Sequence, residues 1–188
     1  GTSHYLMEVS SGRFLDEDGL ELVATNTGTG NRKYAITDKY GNISYFDTSG
    51  RLTEQINNQQ TKSSIQITYT AAGSWLISKI TDGAGRVYNF SYNSNNLLNQ
   101  ISYTGTGTDV LSYVNFAYDA NSNLVTVTDR DAAENPDFGV STYTYAENHL
   151  LQSAQDIDGY KLSYQYTTTA AGQPNRIWTI TESDSDVR

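Results

Sequence analysis

An aromatic residue followed six positions later by leucine recurs along the chain, as FDTSGRL (46–52), YNSNNLL (92–98), YDANSNL (118–124) and YAENHLL (145–151). A spacing that returns with turn-forming residues inside it is a repeat. A repeat constrains the fold before any single element is placed, because each unit is one supersecondary module flanked by copies of itself. The aromatic anchors are Phe46, Tyr69, Tyr92, Tyr118, Tyr145 and Tyr166, separated by 23, 23, 26, 27 and 21 residues. Strands of about five or six residues, joined by short loops, fit two strands and two turns into such a unit. The module is the size of a hairpin.

The residues before each anchor alternate as a strand would. Ile65-Gln66-Ile67-Thr68-Tyr69 puts Ile, Ile and Tyr on one face, and 88–92, 114–118 and 162–166 do the same. Apolar and polar residues at period two mark a half-buried strand. Turn residues follow the anchors: DTSG, TAAGS, NSNN, DANSN, AENH. Asp and Asn side chains hydrogen-bond their own backbone there, and Gly or Asn tolerates positive φ. A second strand comes next (LTEQI 52–56, LISKI 76–80, LVTVT 124–128), and then a second turn at 81–85, 128–139 and 156–159. ITDKYGN (36–42) parallels ITDGAGR (80–86), with shorter echoes at 127–129 and 180–182. No stretch sustains a helical period, so the fold class is all-β: successive antiparallel hairpins. The first 32 residues fit the repeat poorly and are expected to be lead-in strands and loop, with TNTGTGN (25–31) as a connection. Residues 33–188 then hold about six hairpin repeats.

The bulk numbers exclude several classes. Fifteen tyrosines stand beside one methionine and no cysteine, and charged residues make up 18%, below the roughly 25% of an average domain. A net charge of −9 repels phosphates, which argues against nucleic acid and anionic membrane surfaces. No apolar run approaches the roughly 20 residues of a membrane span. Without cysteine there is no disulfide, thiol chemistry or Cys-ligated metal. The abrupt GTS start and the SDSDVR end read as those of an excised fragment.

The iterated F/Y-D-x-x-G-R/N-L at 46–52 and 118–124, set among ITDxxG(N/R) elements, resembles the YD-repeat or RHS-repeat proteins of bacteria, whose animal relatives are the teneurins. The resemblance runs from about 33 to 182. Its signature residues here are Phe46, Asp47, Gly50, Arg51, Leu52, Tyr69, Tyr92, Leu98, Tyr118, Asp119, Leu124, Tyr145, Leu151 and Tyr166. Other copies depart from it: Tyr92 precedes Asn, Tyr69 and Tyr166 precede Thr, and Tyr145 precedes Ala. The resemblance implies a curved or spiralling sheet that closes, in long members, into a shell. It also implies a large secreted or cell-surface bacterial protein, in some members one that encloses a toxin. The self-cleaving DPxGxxGG motif of such members does not occur; Pro136-Asp137-Phe138-Gly139 does not fit it.

The residues offer little chemistry beyond that. The aromatic stripe reads as the packed face of the sheet. Asp38, Asp82, Asp129, Asp131, Asp156 and Asp158 match no calcium loop and are explained as turn residues. His4 and His149, far apart, give a weak basis for metal. No nucleophile elbow is present, and the chain is expected not to be an enzyme and to need no cofactor. Trp75, beside a turn, is the candidate for an exposed, sugar-stacking ring, whereas Trp178, in register with Ser78, reads as buried. The expected partners are neighbouring repeats of the same chain, a polysaccharide in the alternative reading of a carbohydrate-binding adhesin, and further copies through unpaired edge strands.

Overall fold

A computed structural model describes residues 5–17, 22–58, 64–135, 139–167 and 176–183. Strands dominate, and their order in the sheet is their order in the chain, with every neighbouring pair given below antiparallel. The chain divides into two units, Gly1–Phe90 with Tyr103–Leu111, and Ser91–Ser102 with Ser112–Arg188.

The first unit holds β1 (Leu6–Ser10), β2 (Arg13–Asp16), β3 (Val23–Thr29), β4 (Arg32–Thr37), β5 (Ile43–Phe46), β6 (Leu52–Ile56), β7 (Ser64–Tyr69) and β8 (Ile77–Thr81). β9 (Val87–Tyr92) and β10 (Leu98–Gly105) contribute residues to both units. The second unit has β11 (Ser112–Tyr118), β12 (Leu124–Asp129), a one-turn helix α1 (Arg130–Glu134), β13 (Ser141–Tyr145), β14 (Leu151–Gln155), β15 (Lys161–Tyr166) and β16 (Ile177–Ser183). The segment expected to be a loop at 25–31 is instead mostly strand: Thr25 pairs with Ala35 and Asn26 with Tyr34, so only residues 30–31 turn. The loop expected at 128–139 includes α1, closed by Arg130 Nε to Glu134 Oε1 at 2.8 Å. Pro136, Asp137 and Phe138 lie outside the described residues.

One register detail explains the six-residue spacing. In each anchor hairpin with a described ladder, the aromatic residue pairs with the leucine position beyond the turn: Phe46 with Leu52, Tyr69 with Ile77, Tyr118 with Leu124, Tyr145 with Leu151, Tyr166 with Ile177. A register shift falls immediately before the anchor every time. That is a β-bulge, with one extra residue on the second strand. At 53 and 78 the extra residue carries a hydroxyl that donates to the carbonyl just before the anchor, Thr53 to Tyr45 at 3.2 Å and Ser78 to Thr68 at 3.1 Å.

Period-two alternation places Tyr34, Ile36 and Phe46 on one face of the first unit, and Phe116, Tyr143, Tyr164 and Ile180 on one face of the second. This face is half-buried, not the packed core the pattern suggests. Among the described residues Ala35, at 5% exposure, is the only buried hydrophobic, and no large side chain is fully buried. Polar groups take the buried places instead: Asp47, Thr53, Glu54, Ser102, Thr104, Asn123 and Ser153. None of the described buried side-chain polar atoms lacks a partner. The fold is therefore held by ladder and side-chain hydrogen bonds more than by a core, each worth about 1 kcal/mol net.

Trp178 is a correction. It is 75% exposed, because the step from Tyr166–Ile177 to Gln165–Thr179 leaves it as the bulged residue of the last described strand. Its register with Ser78 holds, but that position is the bulge and not a core site. Gly139 is required by close approach: a Cβ there would stand 1.7 Å from the Ile157 carbonyl oxygen.

Candidate functional site

The feature that recurs with most chemical content is a five-residue turn. Its first residue is Asp or Asn, and its fourth has positive φ. In residues 47–51 the Asp47 N–H donates to the Arg51 carbonyl (3.0 Å) and the Gly50 N–H to the Asp47 carbonyl (3.1 Å). Asp47 Oδ1 accepts the N–H groups of Ser49 (2.8 Å) and Arg51 (3.0 Å), while Oδ2 accepts Arg51 Nε at 2.7 Å. The same arrangement returns at 38–42 and 119–123, with Asn42 and Asn123 amides in place of the guanidinium, and at 82–86 with Arg86. Asn93 and Asp156 repeat the backbone part of it. The device thus occurs in both turn classes seen in the sequence, after the anchors at 47–51, 93–97 and 119–123 and in the turns at 38–42, 82–86 and 156–160. The left-handed position is Gly50 at φ 78°, and in two copies it is Asn96 at 60° and Ser122 at 66°.

These contacts set the electrostatics. The Asn42 and Asn123 side-chain amides are the main reason Asp38 and Asp119 lie below the ordinary 3.8. At Asp47 and Asp82, desolvation pushes the carboxyl up, but the Arg51 and Arg86 N–H groups and guanidinium charges outweigh it, and both also lie below 3.8. Each carboxylate is spent on its own turn, which leaves it a poor catalytic base and a poor ion ligand.

Contacts also run from repeat to repeat. The Tyr69 hydroxyl donates to the Leu52 carbonyl at 2.8 Å, Tyr118 to Leu98 at 2.9 Å, and Tyr166 to Leu151 at 2.7 Å. The signature tyrosine of one repeat thereby seizes the signature leucine position of the one before. Arg51 continues the theme: beyond Asp47 it donates to the carbonyls of Ala71, at 3.1 Å, and Ser74, and its guanidinium lies 4.5 Å over the Tyr69 ring. Burial raises the Tyr69 phenol above its usual 10.0, partly offset by Arg51. In the second unit His149 Nδ1 meets Asn123 Oδ1 at 2.5 Å, joining the turn at 146–150 to the staple at 119–123.

The signature positions thus fall in three sets. Phe46, Tyr69, Tyr92, Tyr118, Tyr145 and Tyr166 end strands, Leu52, Leu98, Leu124 and Leu151 begin them, and Asp47, Gly50, Arg51 and Asp119 form turns. The sequence gives no direct sign of the tyrosine-to-carbonyl bonds; the regular return of aromatic and leucine was the only trace of them. Trp75 is 67% exposed on the loop 70–76. That loop is pinned by Thr70 N to Leu76 O (2.9 Å), Ser74 N to Ala71 O (3.1 Å) and Thr70 Oγ1 to Ser74 Oγ (2.9 Å). His4 lies outside the described residues. In the first unit, a concavity of about 870 Å³ is lined by Ile36, Asp38, Gln55, Ile65, Asp82 and Arg86 among others. No helix among the described residues is long and apolar enough to cross a membrane.

A similar fold is also found in solved structures. A chain of the TcdB2-TccC3 crystal structure matches 87% of this chain at 21% identity, with a TM-score of 0.56. One from the Photorhabdus luminescens Tc holotoxin pore matches 87% at 21% identity and a TM-score of 0.61. TcdB2-TccC3-Cdc42 matches 97% at 19% identity and 0.58. The likeness is one of fold. This chain spans 9% to 10% of the length of those chains. No family model matches it, and no curated protein does.

Proposed function

We propose that the chain is a structural segment of a larger YD/RHS-type repeat protein, secreted or exposed at a bacterial cell surface. It acts there as scaffold or shell wall, of the toxin-enclosing type, and carries out no catalysis. The observation that carries this reading is the ladder of tyrosine hydroxyls to preceding leucine carbonyls. Such bonds hold one repeat to the last at three junctions, which is what a wall requires and a catalytic cleft does not. The fold likeness to Tc-toxin chains supports it at the level of architecture. Neighbouring repeats are its first partners. The apolar exposure of β1 and β16 (Met7 54%, Ile177 53%, Ile180 54%) supports self-association through edge strands.

The test is limited proteolysis of the whole gene product that contains this chain. If the chain is wall, another segment of the same product stays protected until the wall is loosened by Asp47→Ala, and is then cut. Equal cleavage of all segments in the unaltered protein overturns the reading. A second reading, a carbohydrate-binding adhesin module, is favoured by one observation: the exposed Trp75 ring on a pinned loop, where little ordering entropy remains to be lost on binding. Titration with neutral polysaccharides, read by tryptophan fluorescence and compared with Trp75→Ala, decides it; no response in either protein removes that reading.

A further inference from the structure

We infer that Tyr88 and Tyr103 form an oxidative cross-linking site, at which a peroxide-driven oxidant joins β9 to β10 through a dityrosine bond. The chain has fifteen tyrosines and no cysteine, so phenol coupling is a covalent strand-to-strand brace open to it where a disulfide is not. In the first unit the Tyr88 and Tyr103 rings stand with centroids 5.2 Å apart and planes inclined by 37°. Neither ring is fully buried, so each can turn about its Cβ–Cγ bond. At this separation one such turn brings an ortho carbon of each ring toward the other.

The chemistry balances. Each phenol gives one hydrogen atom from its hydroxyl to the oxidant. The two phenoxyl radicals pair through their ortho Cε atoms to form one carbon–carbon bond, and the ring hydrogens displaced there move to the oxygens as both rings regain aromaticity. The protein loses two electrons and two protons. Hydrogen peroxide, activated by a haem peroxidase, takes up both pairs and becomes two waters. Exposed phenols such as Tyr40 and Tyr5, at 64% and 73% exposure, meet the oxidant sooner, but coupling to another molecule slows as the protein is diluted. Two rings held side by side react with an effective concentration many orders of magnitude above micromolar. Dilution therefore selects the internal pair. The bond closes a loop from 88 to 103 that contains the Asn93 turn, and such a closure restricts the unfolded chain as a disulfide does.

The experiment treats the protein at low micromolar concentration with a haem peroxidase and hydrogen peroxide, then digests it with chymotrypsin. Trypsin is unsuitable because residues 87–130 form one tryptic peptide. The expected product is monomeric, shows dityrosine fluorescence, and yields a peptide pair two hydrogens lighter joining 88 to 103. Tyr103→Phe and Tyr88→Phe each abolish that pair, whereas Tyr92→Phe leaves it. Both Phe variants keep the ring, and an unchanged circular dichroism spectrum shows that the strands remain. The cross-linked monomer unfolds at a higher temperature than the untreated protein. Cross-links spread over other tyrosines in the dilute sample, or survival of the fluorescent product in Tyr103→Phe, overturn the inference.

Discussion

FDTSGRL and YAENHLL share one spacing and one anchor pair, Phe46 with Leu52 and Tyr145 with Leu151, yet their turns are built differently. The first is stapled from within. Asp47 holds two N–H groups and a guanidinium, glycine takes the left-handed position at φ 78°, and Arg51 reaches on into the loop after the next anchor, Tyr69. The second has Ala146 where the staple would start, with no side-chain cap. Two residues, Asn148 and His149, stand at φ 60° and 61°, and support comes from behind through Asn123. The anchor pair and its bulge set the geometry of the repeat; the turn interior decides how firmly that repeat is closed. A repeat that loses its internal staple depends on its neighbour.

Acidification should separate the two most widely. Asp38, Asp47, Asp82 and Asp119 sit below 3.8 in the folded protein. Their contribution is complete above the unfolded value and is lost as pH falls through the lower folded values. Denaturation midpoints measured from about pH 7 to about pH 2 should stay level until about pH 4 and then fall. Amide exchange at Arg51 and Asn123 should accelerate before that at Leu150, whose N–H leans on a backbone carbonyl. Simultaneous loss at all three amides would break the comparison.

Asp47→Ala comes next, with an expected destabilisation of about 3 kcal/mol in urea, since it strands two N–H donors and takes the carboxylate from a largely buried guanidinium. Ala146→Gly, at the matching position, should change stability by less than about 1 kcal/mol. Tyr118→Phe tests the bond between repeats. It keeps the ring and removes one donor to the Leu98 carbonyl, for a loss of about 1 kcal/mol by the same measurement. The smallest effect has the opposite sign: Ser122→Gly should stabilise by about 0.5 kcal/mol, because Ser122 holds φ 66° against its own Cβ. A destabilised Ser122→Gly protein would mean that the serine side chain contributes more than its backbone strain costs.

Much of this was legible in the residues. Alternation at 65–69, 88–92, 114–118 and 162–166 placed the strands, and the aspartate- and asparagine-led runs placed the turns, because both signals are local and depend on neighbours two or four positions away. Three features were not legible. The half-burial of the aromatic face depends on whether a second layer exists, and an alternating strand has the same pattern with or without one. The exposure of Trp178 depends on a bulge, which appears in sequence only as one residue too many. The Tyr69, Tyr118 and Tyr166 hydroxyl bonds cross 15 to 20 residues of chain, beyond any local rule.

The bulge before each anchor has a consequence for how such a chain can change. Strands at period two are unforgiving, since one inserted residue would turn every later side chain to the wrong face. Here the pairing restarts at each anchor. The connection between Phe46 and Leu52 spans five residues, that between Tyr69 and Ile77 seven, and that between Tyr166 and Ile177 ten, yet the same kind of pair opens the ladder in each. An insertion between anchor and partner is absorbed where it occurs and does not propagate. The array behaves like text with its frame reset at every word, so foreign peptides of varied length can be written into its turns while the downstream strands keep their phase.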